Sequence, residues 1–198
     1  EIYDRIIYDG DTHYSPACFS QDILTITFNG LSKAHRSCGL RAGWMVLTGN
    51  NRVAEDYKIG LKTLTSMRLC SNVPAQLAIK PALELDDSIF ALTAENGRLR
   101  KQRDLCHEML NAIPGVSCRK AAASLYVFPK FDTVKFNIKN DEKFVLDFLE
   151  SKNVLLVPGS GFNWKYPDHC RIVFLPNEDD LRESLTRLGE FLETYRQE

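Results

Sequence analysis

The sequence predicts an α/β fold, on three observations. Apolar runs short enough to be strands, at 124–128, 154–157 and 171–174, alternate with longer runs whose apolar residues recur at helical spacing. A further strand-like run at 23–28 leads through a glycine-containing loop into another at 44–47. Amphipathic stretches with polar capping residues at their starts fill the intervals. No internal repeat or low-complexity segment interrupts the pattern.

The elements follow in order. Ile23, Leu24, Thr25, Ile26, Thr27 and Phe28 are mostly β-branched or aromatic and read as a buried strand. The loop after it carries Lys33 and reaches Arg41 eight positions later, with Gly39 and Gly43 on either side giving the backbone freedom to turn. Asn50 stands where it caps a helix bearing Val53, Tyr57, Leu61 and Leu64 on one face, a stripe expected to be core. Cys70-Ser71-Asn72-Val73-Pro74 then forms a turn before a helix through 75–83. A first domain, 1–86, is expected to give way to a second, 87–198. One long helix is expected over 88–113, carrying Leu92, Leu99, Leu105, Met109 and Leu110, with the basic cluster Arg98-Leu99-Arg100-Lys101 on a solvated face. Pro114-Gly115 ends it. Two more helices follow, one around Phe144, Val145, Phe148 and Leu149, the other after Asn177 through Leu181, Leu185, Leu188, Leu192 and Tyr195. Acidic Glu178, Asp179 and Asp180 suit the positive end of that last helix.

Composition narrows the classes of function. At 198 residues the chain is long enough for one good core or two small ones. Its 44% apolar and 26% charged residues are those of a soluble globular chain. A net charge of −1 with no basic block gives no electrostatic reason to expect nucleic acid or an anionic membrane. No apolar run approaches the ~20 residues of a membrane span, and no signal peptide opens the chain. The 6 cysteines are scattered with no Cys-x-x-Cys pair, which reads as reduced thiols of a cytoplasmic protein. The 4 isolated histidines add no metal constellation.

Two places carry chemistry. Lys33 stands beyond the end of an apolar strand, where open α/β sheets build their ligand sites. A lysine amine for a carbonyl carbon and a guanidinium for a phosphate are what a pyridoxal phosphate site requires. Arg171 sits within an apolar run between Cys170 and Ile172, where an unpaired guanidinium is costly. Facing a cleft, it would clamp a carboxylate through two parallel hydrogen bonds. The alternative is a structural pair with Asp168 or a nearby glutamate. Gly159 and Gly161 read as turn residues, because no glycine-rich loop-to-helix signature accompanies them.

Ser32-Lys33 followed by Gly39-Leu40-Arg41-Ala42-Gly43-Trp44 resembles the lysine signature of the class I/II pyridoxal-phosphate aminotransferases, a family of fold type I. Glu1-Ile2-Tyr3-Asp4, Ser71-Asn72-Val73-Pro74 and Arg171-Ile172-Val173-Phe174-Leu175-Pro176 agree with the family in order and spacing, so the resemblance spans essentially the whole chain. Within the family, Asn29-Gly30-Leu31-Ser32-Lys33 and Val157-Pro158-Gly159-Ser160-Gly161-Phe162-Asn163-Trp164 are similar to the bacterial alanine (glutamate–pyruvate) aminotransferases. The resemblance implies a C-terminal half: the end of the large-domain sheet over 1–86 and the small α/β domain over 87–198. The family's aspartate for the pyridinium nitrogen would fall one residue before Glu1. Its phosphate-binding loop and the aromatic ring that stacks on the cofactor would belong to a preceding half.

By the same resemblance, Lys33 holds pyridoxal 5'-phosphate as a Schiff base and moves the proton at the substrate's α-carbon. Arg41 neutralises the phosphate, and Arg171 holds the substrate's α-carboxylate. Tyr3 hydrogen-bonds the cofactor's ring oxygen; the alternative is a tyrosine packed at a strand edge. Ser32 offers a hydroxyl to the phosphate, although many relatives place that hydroxyl three residues before the lysine, where this chain has Gly30. His35 reads equally as packed or functional. Ser71 and Asn72 either approach the neighbouring subunit's cofactor in a homodimer or cap the following helix. The implied activity moves an amino group between an amino acid, alanine or glutamate first, and a 2-oxo acid. Arg68 lies near, but displaced from, the second carboxylate-binding arginine of dicarboxylate-specific relatives. Lys33, Arg41 and Arg171 would equally serve a lyase or decarboxylase on the same scaffold, because the cofactor carries the chemistry. A ligand-sensing regulator domain would need a DNA-binding segment that these residues do not contain. By itself the chain is expected to be inactive and to leave apolar surface uncovered.

Overall fold

A computed structural model describes residues 1–198, the side chain of Asn51 apart. The chain divides into two units, Glu1–Ala91 and Leu92–Glu198.

In the first unit, β1 (Thr25–Gly30) and β2 (Gly43–Thr48) form an antiparallel ribbon whose register runs from Thr25 opposite Thr48 to Gly30 opposite Gly43. The lysine loop is therefore the tip of an antiparallel hairpin. Gly43 does a different job from the one expected, and Gly39 has open space where a Cβ would stand. A Cβ on Gly43 would lie 2.8 Å from the Asn29 carbonyl oxygen, and one on Gly30 would lie 2.9 Å from that of Ala42. Closeness of the two backbones, rather than freedom to turn, demands glycine there. The left-handed turn is made at Arg41 itself, with φ 52°.

After β2, Asn50 accepts a hydrogen bond from the Arg52 amide at 3.2 Å, but it opens a 3-10 turn, Asn51–Ala54, which runs on into α1 (Glu55–Arg68). The expected core stripe is not core: Val53 is 77% exposed, Leu64 is 62% exposed, and α1 buries no residue. Its spacing is amphipathic, yet among the described residues of this unit nothing covers the apolar face. The helix α2 (Val73–Leu85) buries only Ala75, and Phe28 on β1 is also exposed. Asn72 caps α2 by accepting from the Ala75 amide at 3.4 Å, and the Gln76 side chain donates to the Ser71 carbonyl.

The expected helix over 88–113 is two, α3 (Ser88–Thr93) and α4 (Arg98–Ala112). The break is at Asn96-Gly97, a turn pair with a glycine that costs a helix interior about 1 kcal/mol. Gly97 takes an extended conformation and its amide closes a turn on the Ala94 carbonyl at 2.8 Å.

The second unit has a core of its own. Leu99, Leu105, Cys106 and Leu110 of α4 meet Leu181, Leu185, Leu188 and Leu192 of α6 (Glu178–Thr194). On the other side of α6 packs α5 (Asp141–Lys152), where Phe144 lies 5.0 Å from the Phe131 ring and Phe148 lies 5.2 Å from Phe191. Asn140 and Asn177 cap these helices by accepting from the Lys143 and Asp180 amides. Two small antiparallel sheets complete the unit. One pairs β3 (Val116–Ser117) with β5 (Lys130–Phe131). The other is ordered β4 (Tyr126–Val127), β7 (Cys170–Val173), β6 (Val157–Pro158). Arg103 is wholly buried, a placement no sequence pattern announced. Its Nε and Nη2 donate to Asp104 Oδ1 at 2.8 and 2.6 Å, and its Nη1 to the Ala121 carbonyl at 3.1 Å.

Candidate functional site

The hairpin tip is built from its anchors outward. The Leu31 amide donates to the Ala42 carbonyl at 3.1 Å, and the Ser37 amide to the Leu31 carbonyl at 2.9 Å, so the loop folds back on its own stem. Leu31 and Ala34 are buried and fix the stretch between them, which carries Ser32 and Lys33. Both are half-buried, and among the described residues the Lys33 amine has no hydrogen-bond or ion-pair partner. Arg41 is exposed on the return limb, with Nη1 donating to the Cys38 carbonyl at 2.6 Å. Its remaining N–H donors stay available.

Tyr3 comes to the same end of the hairpin from the start of the chain. The Asn29 side chain donates to Asp4 Oδ2 at 2.9 Å, and the Glu1 main-chain nitrogen donates to the Phe28 carbonyl. Ile2 lies against Gly30. Tyr3, half-buried between these attachments, is held beside the point where the lysine loop leaves β1. The structure thus brings Tyr3, Ser32, Lys33 and Arg41 to one end of one hairpin.

His35 is buried, with Nδ1 3.2 Å from Asp86 Oδ2, and Arg36 Nη2 lies 3.7 Å from Asp86 Oδ1. Arg5 Nη1 donates to the Asp86 carbonyl at 2.8 Å. The Ser88 hydroxyl, foremost, holds the Asp86 carboxyl below its ordinary range against a smaller opposing effect of burial, with His35 and Arg36 adding to it. Asp86 therefore pins the loop that presents Lys33. Sequence reasoning placed 86–88 at a domain boundary and saw no such role; the only signal was a histidine two residues after the lysine.

Arg171 belongs to the second unit, on the central strand β7. The expected alternative partner, Asp168, is engaged elsewhere: Trp164 Nε1 donates to it at 2.8 Å, His169 Nδ1 lies at 2.7 Å and Lys130 Nζ at 3.6 Å. Burial works to raise the Asp168 carboxyl, but the hydrogen bonds from His169 and Trp164 outweigh it and leave the group low. The Arg171 guanidinium meets aromatic rings instead, its Cζ 4.6 Å from the Tyr126 centroid and 4.6 Å from the Phe162 centroid. Among the described residues it has no carboxylate partner. Gly159 is a turn residue, as expected: its amide donates to the His169 carbonyl at 2.9 Å, where a Cβ would come within 2.7 Å of that oxygen. A hollow of about 540 Å³ in this unit, lined by Ser117, Lys130, Asp132, Thr133 and Asp168, includes none of the predicted site residues.

Among the described residues no cluster of histidine, cysteine, aspartate or glutamate is arranged to hold a metal ion. No helix among them is long and apolar enough to cross a membrane. Burial pushes the thiols of Cys106 and Cys170 up to about 12 and that of Cys118 to about 11, which makes all three poor nucleophiles.

Residues 1–188 match the family "Aminotransferase class I and II", and the chain belongs to that family. It is 53% identical to the "Glutamate-pyruvate aminotransferase AlaA" of Escherichia coli strain K12, covering 100% of this chain and 49% of that protein. It is 50% identical to the "Alanine aminotransferase" of Mycobacterium tuberculosis strain H37Rv, covering 100% of this chain and 46% of that one. Among solved structures, an aminotransferase from Escherichia coli superposes with a TM-score of 0.98 at 53% identity, over 100% of this chain and 49% of that one. The alanine aminotransferase from Pyrococcus furiosus superposes with a TM-score of 0.89 at 36% identity, over 98% and 48%. The chain spans about half the length of the curated relatives it matches.

Proposed function

We propose that this chain supplies the lysine, the phosphate arginine and the carboxylate arginine of a pyridoxal-phosphate-dependent aminotransferase. The observation that carries the reading is the Lys33 amine, half-buried at a pinned hairpin tip without a partner, on the same loop as the Arg41 guanidinium. The donor set fits the cofactor: an amine for its aldehyde, a cation for its phosphate, and the Tyr3 phenol and Ser32 hydroxyl beside them. When bound, pyridoxal 5'-phosphate supplies an electrophilic carbon and a ring that withdraws electrons from the substrate's α-carbon.

The chain's own residues do the rest. Lys33 Nζ would hold the cofactor through its aldehyde carbon, and the same amine would be the base that moves the proton at the substrate's α-carbon. Arg41 compensates the phosphate charge and fixes the orientation of the ring. Arg171 clamps the α-carboxylate of the amino acid and equally of the 2-oxo acid. The substrates that fit the reading best are alanine and glutamate with their 2-oxo acids, since the relatives above are named for glutamate–pyruvate and alanine transfer. The first unit then belongs to a large cofactor-binding domain and the second to a small domain. A homodimer, with Ser71 and Asn72 near the neighbouring subunit, and a cytoplasmic location complete the reading.

Lys33→Ala in the full-length protein is the test. Borohydride treatment is expected to leave the cofactor's added mass on the parent protein and none on the variant, with loss of 2-oxo-acid-dependent amino transfer. Retention of the adduct in the variant would overturn the assignment, and turnover of an amino acid without any 2-oxo-acid requirement would favour a lyase.

A further inference from the structure

Arg171 is a cation on the central strand of a sheet, and its neighbours are rings. The register explains Tyr126. It lies opposite Val173, which shares a face with Arg171 two residues earlier on β7, so Tyr126 is the diagonal neighbour of Arg171 on that face. Phe162 arrives by another route. It ends the 3-10 turn Gly159–Phe162, and Asn163 follows it in the left-handed region at φ 58°. Three attachments fix that turn. The Gly159 amide donates to the His169 carbonyl at 2.9 Å, the Ser160 amide to buried Asp141 Oδ2 at 2.7 Å, and the Trp164 amide to the Gly159 carbonyl at 3.2 Å.

The turn is held from several sides, yet Phe162 itself remains 45% exposed. The fixed turn therefore sets where the Phe162 ring stands against the Arg171 guanidinium. A ring attracts a guanidinium through its quadrupole and uses none of the five N–H donors. A carboxylate partner would have neutralised the charge and occupied those donors. Two rings therefore hold Arg171 in place and leave its N–H donors for a carboxylate.

We propose that Phe162, with Tyr126, is a positioning residue for Arg171, holding the guanidinium in the orientation that receives a substrate carboxylate. The inference deepens the proposed function and rests on its assignment of Arg171. Because the carboxylate is common to amino acid and 2-oxo acid, the rings act on both substrates alike. A wall that selected substrate side chains would treat alanine and 2-oxoglutarate, whose side chains differ, differently.

The test is steady-state kinetics on the full-length holoenzyme with Phe162→Leu, Phe162→Tyr, Tyr126→Leu and Arg171→Ala. Loss of one ring contact is expected to raise KM for the amino acid and for the 2-oxo acid by the same factor, roughly 3- to 30-fold, the range of a cation–π contact. The turnover number and cofactor retention should change less than about 2-fold. Phe162→Tyr, which keeps the ring, should restore both KM values. If Phe162→Leu folds poorly, Tyr126→Leu tests the other ring contact, from β4. Unchanged KM in both ring variants, while Arg171→Ala raises it strongly, would overturn the positioning role and leave the carboxylate assignment standing. Unchanged KM in Arg171→Ala would overturn the carboxylate assignment itself. A change confined to one substrate would also overturn the proposal, in favour of side-chain selection.

Discussion

His35 Nδ1 lies 3.2 Å from Asp86 Oδ2, and this contact ties the loop that carries Lys33 to the segment just before α3. The imidazole is buried, so its partner is not replaceable by water without local opening. The lysine is thereby presented by an element whose far end is nailed down in the same unit.

Asp86→Ala should therefore loosen the loop. A buried polar group left without its partner costs about 1–3 kcal/mol. The expected outcome is a lower melting temperature together with slower covalent capture of pyridoxal phosphate. Asp86→Asn, which keeps a hydrogen-bond acceptor for His35, should lose less. Equal behaviour of the two variants would show that the charge on Asp86, not the hydrogen bond, matters.

Arg41→Ala should weaken cofactor retention without abolishing covalent capture, since Lys33 stays in place. A hydrogen bond to a charged group contributes about 1.5–3 kcal/mol, which corresponds to roughly 10- to 100-fold in cofactor dissociation. Equilibrium dialysis against pyridoxal phosphate reads this directly. Retention equal to that of the parent protein would remove Arg41 from the phosphate site.

Stability should fall on acidification through several carboxyls, Asp86, Asp104 and Asp168 among them. Asp86 is held low chiefly by the Ser88 hydroxyl. In Asp104 and Asp168 burial opposes ionisation, but hydrogen bonds prevail: from Lys120 and Arg103 in the first, from His169 and Trp164 in the second. A carboxyl whose folded value lies below its unfolded one contributes stability that is complete above the unfolded value and disappears as pH falls through the folded one. Urea unfolding should thus be insensitive to these groups from neutrality down to about pH 4.5 and weaken below about pH 4. Asp104→Asn should be destabilised at neutral pH and show a shallower decline in acid. A parallel decline in parent and variant would remove Asp104 from the account.

Much of this was legible beforehand, and the misses have physical causes. The helix through Leu181, Leu185, Leu188 and Leu192, with Asn177 as its cap, was readable because spacing, capping and charge agree along one stretch. That Lys33 and Arg41 share one loop was readable because strand-like runs on both sides bound a short stretch between them. The stripe Val53, Tyr57, Leu61, Leu64 gave a correct helix and a wrong burial, since periodicity reports which face is apolar and not whether anything covers it. The break at Asn96-Gly97 was hidden by strong helix formers on both sides. Asp86 with His35 joins residues far apart in sequence, and Phe162 meets Arg171 only through the fold of the turn that carries it, so no local pattern records either pair.

Position 41 carries a last consequence. An L-residue in the left-handed region costs roughly 1–2 kcal/mol that glycine does not incur. Arg41→Gly would thus relax the peptide bonds around it while deleting the guanidinium. At this one place what suits the polypeptide and what suits the proposed cofactor pull in opposite directions. The side chain that is present is the one the backbone, by itself, would not choose.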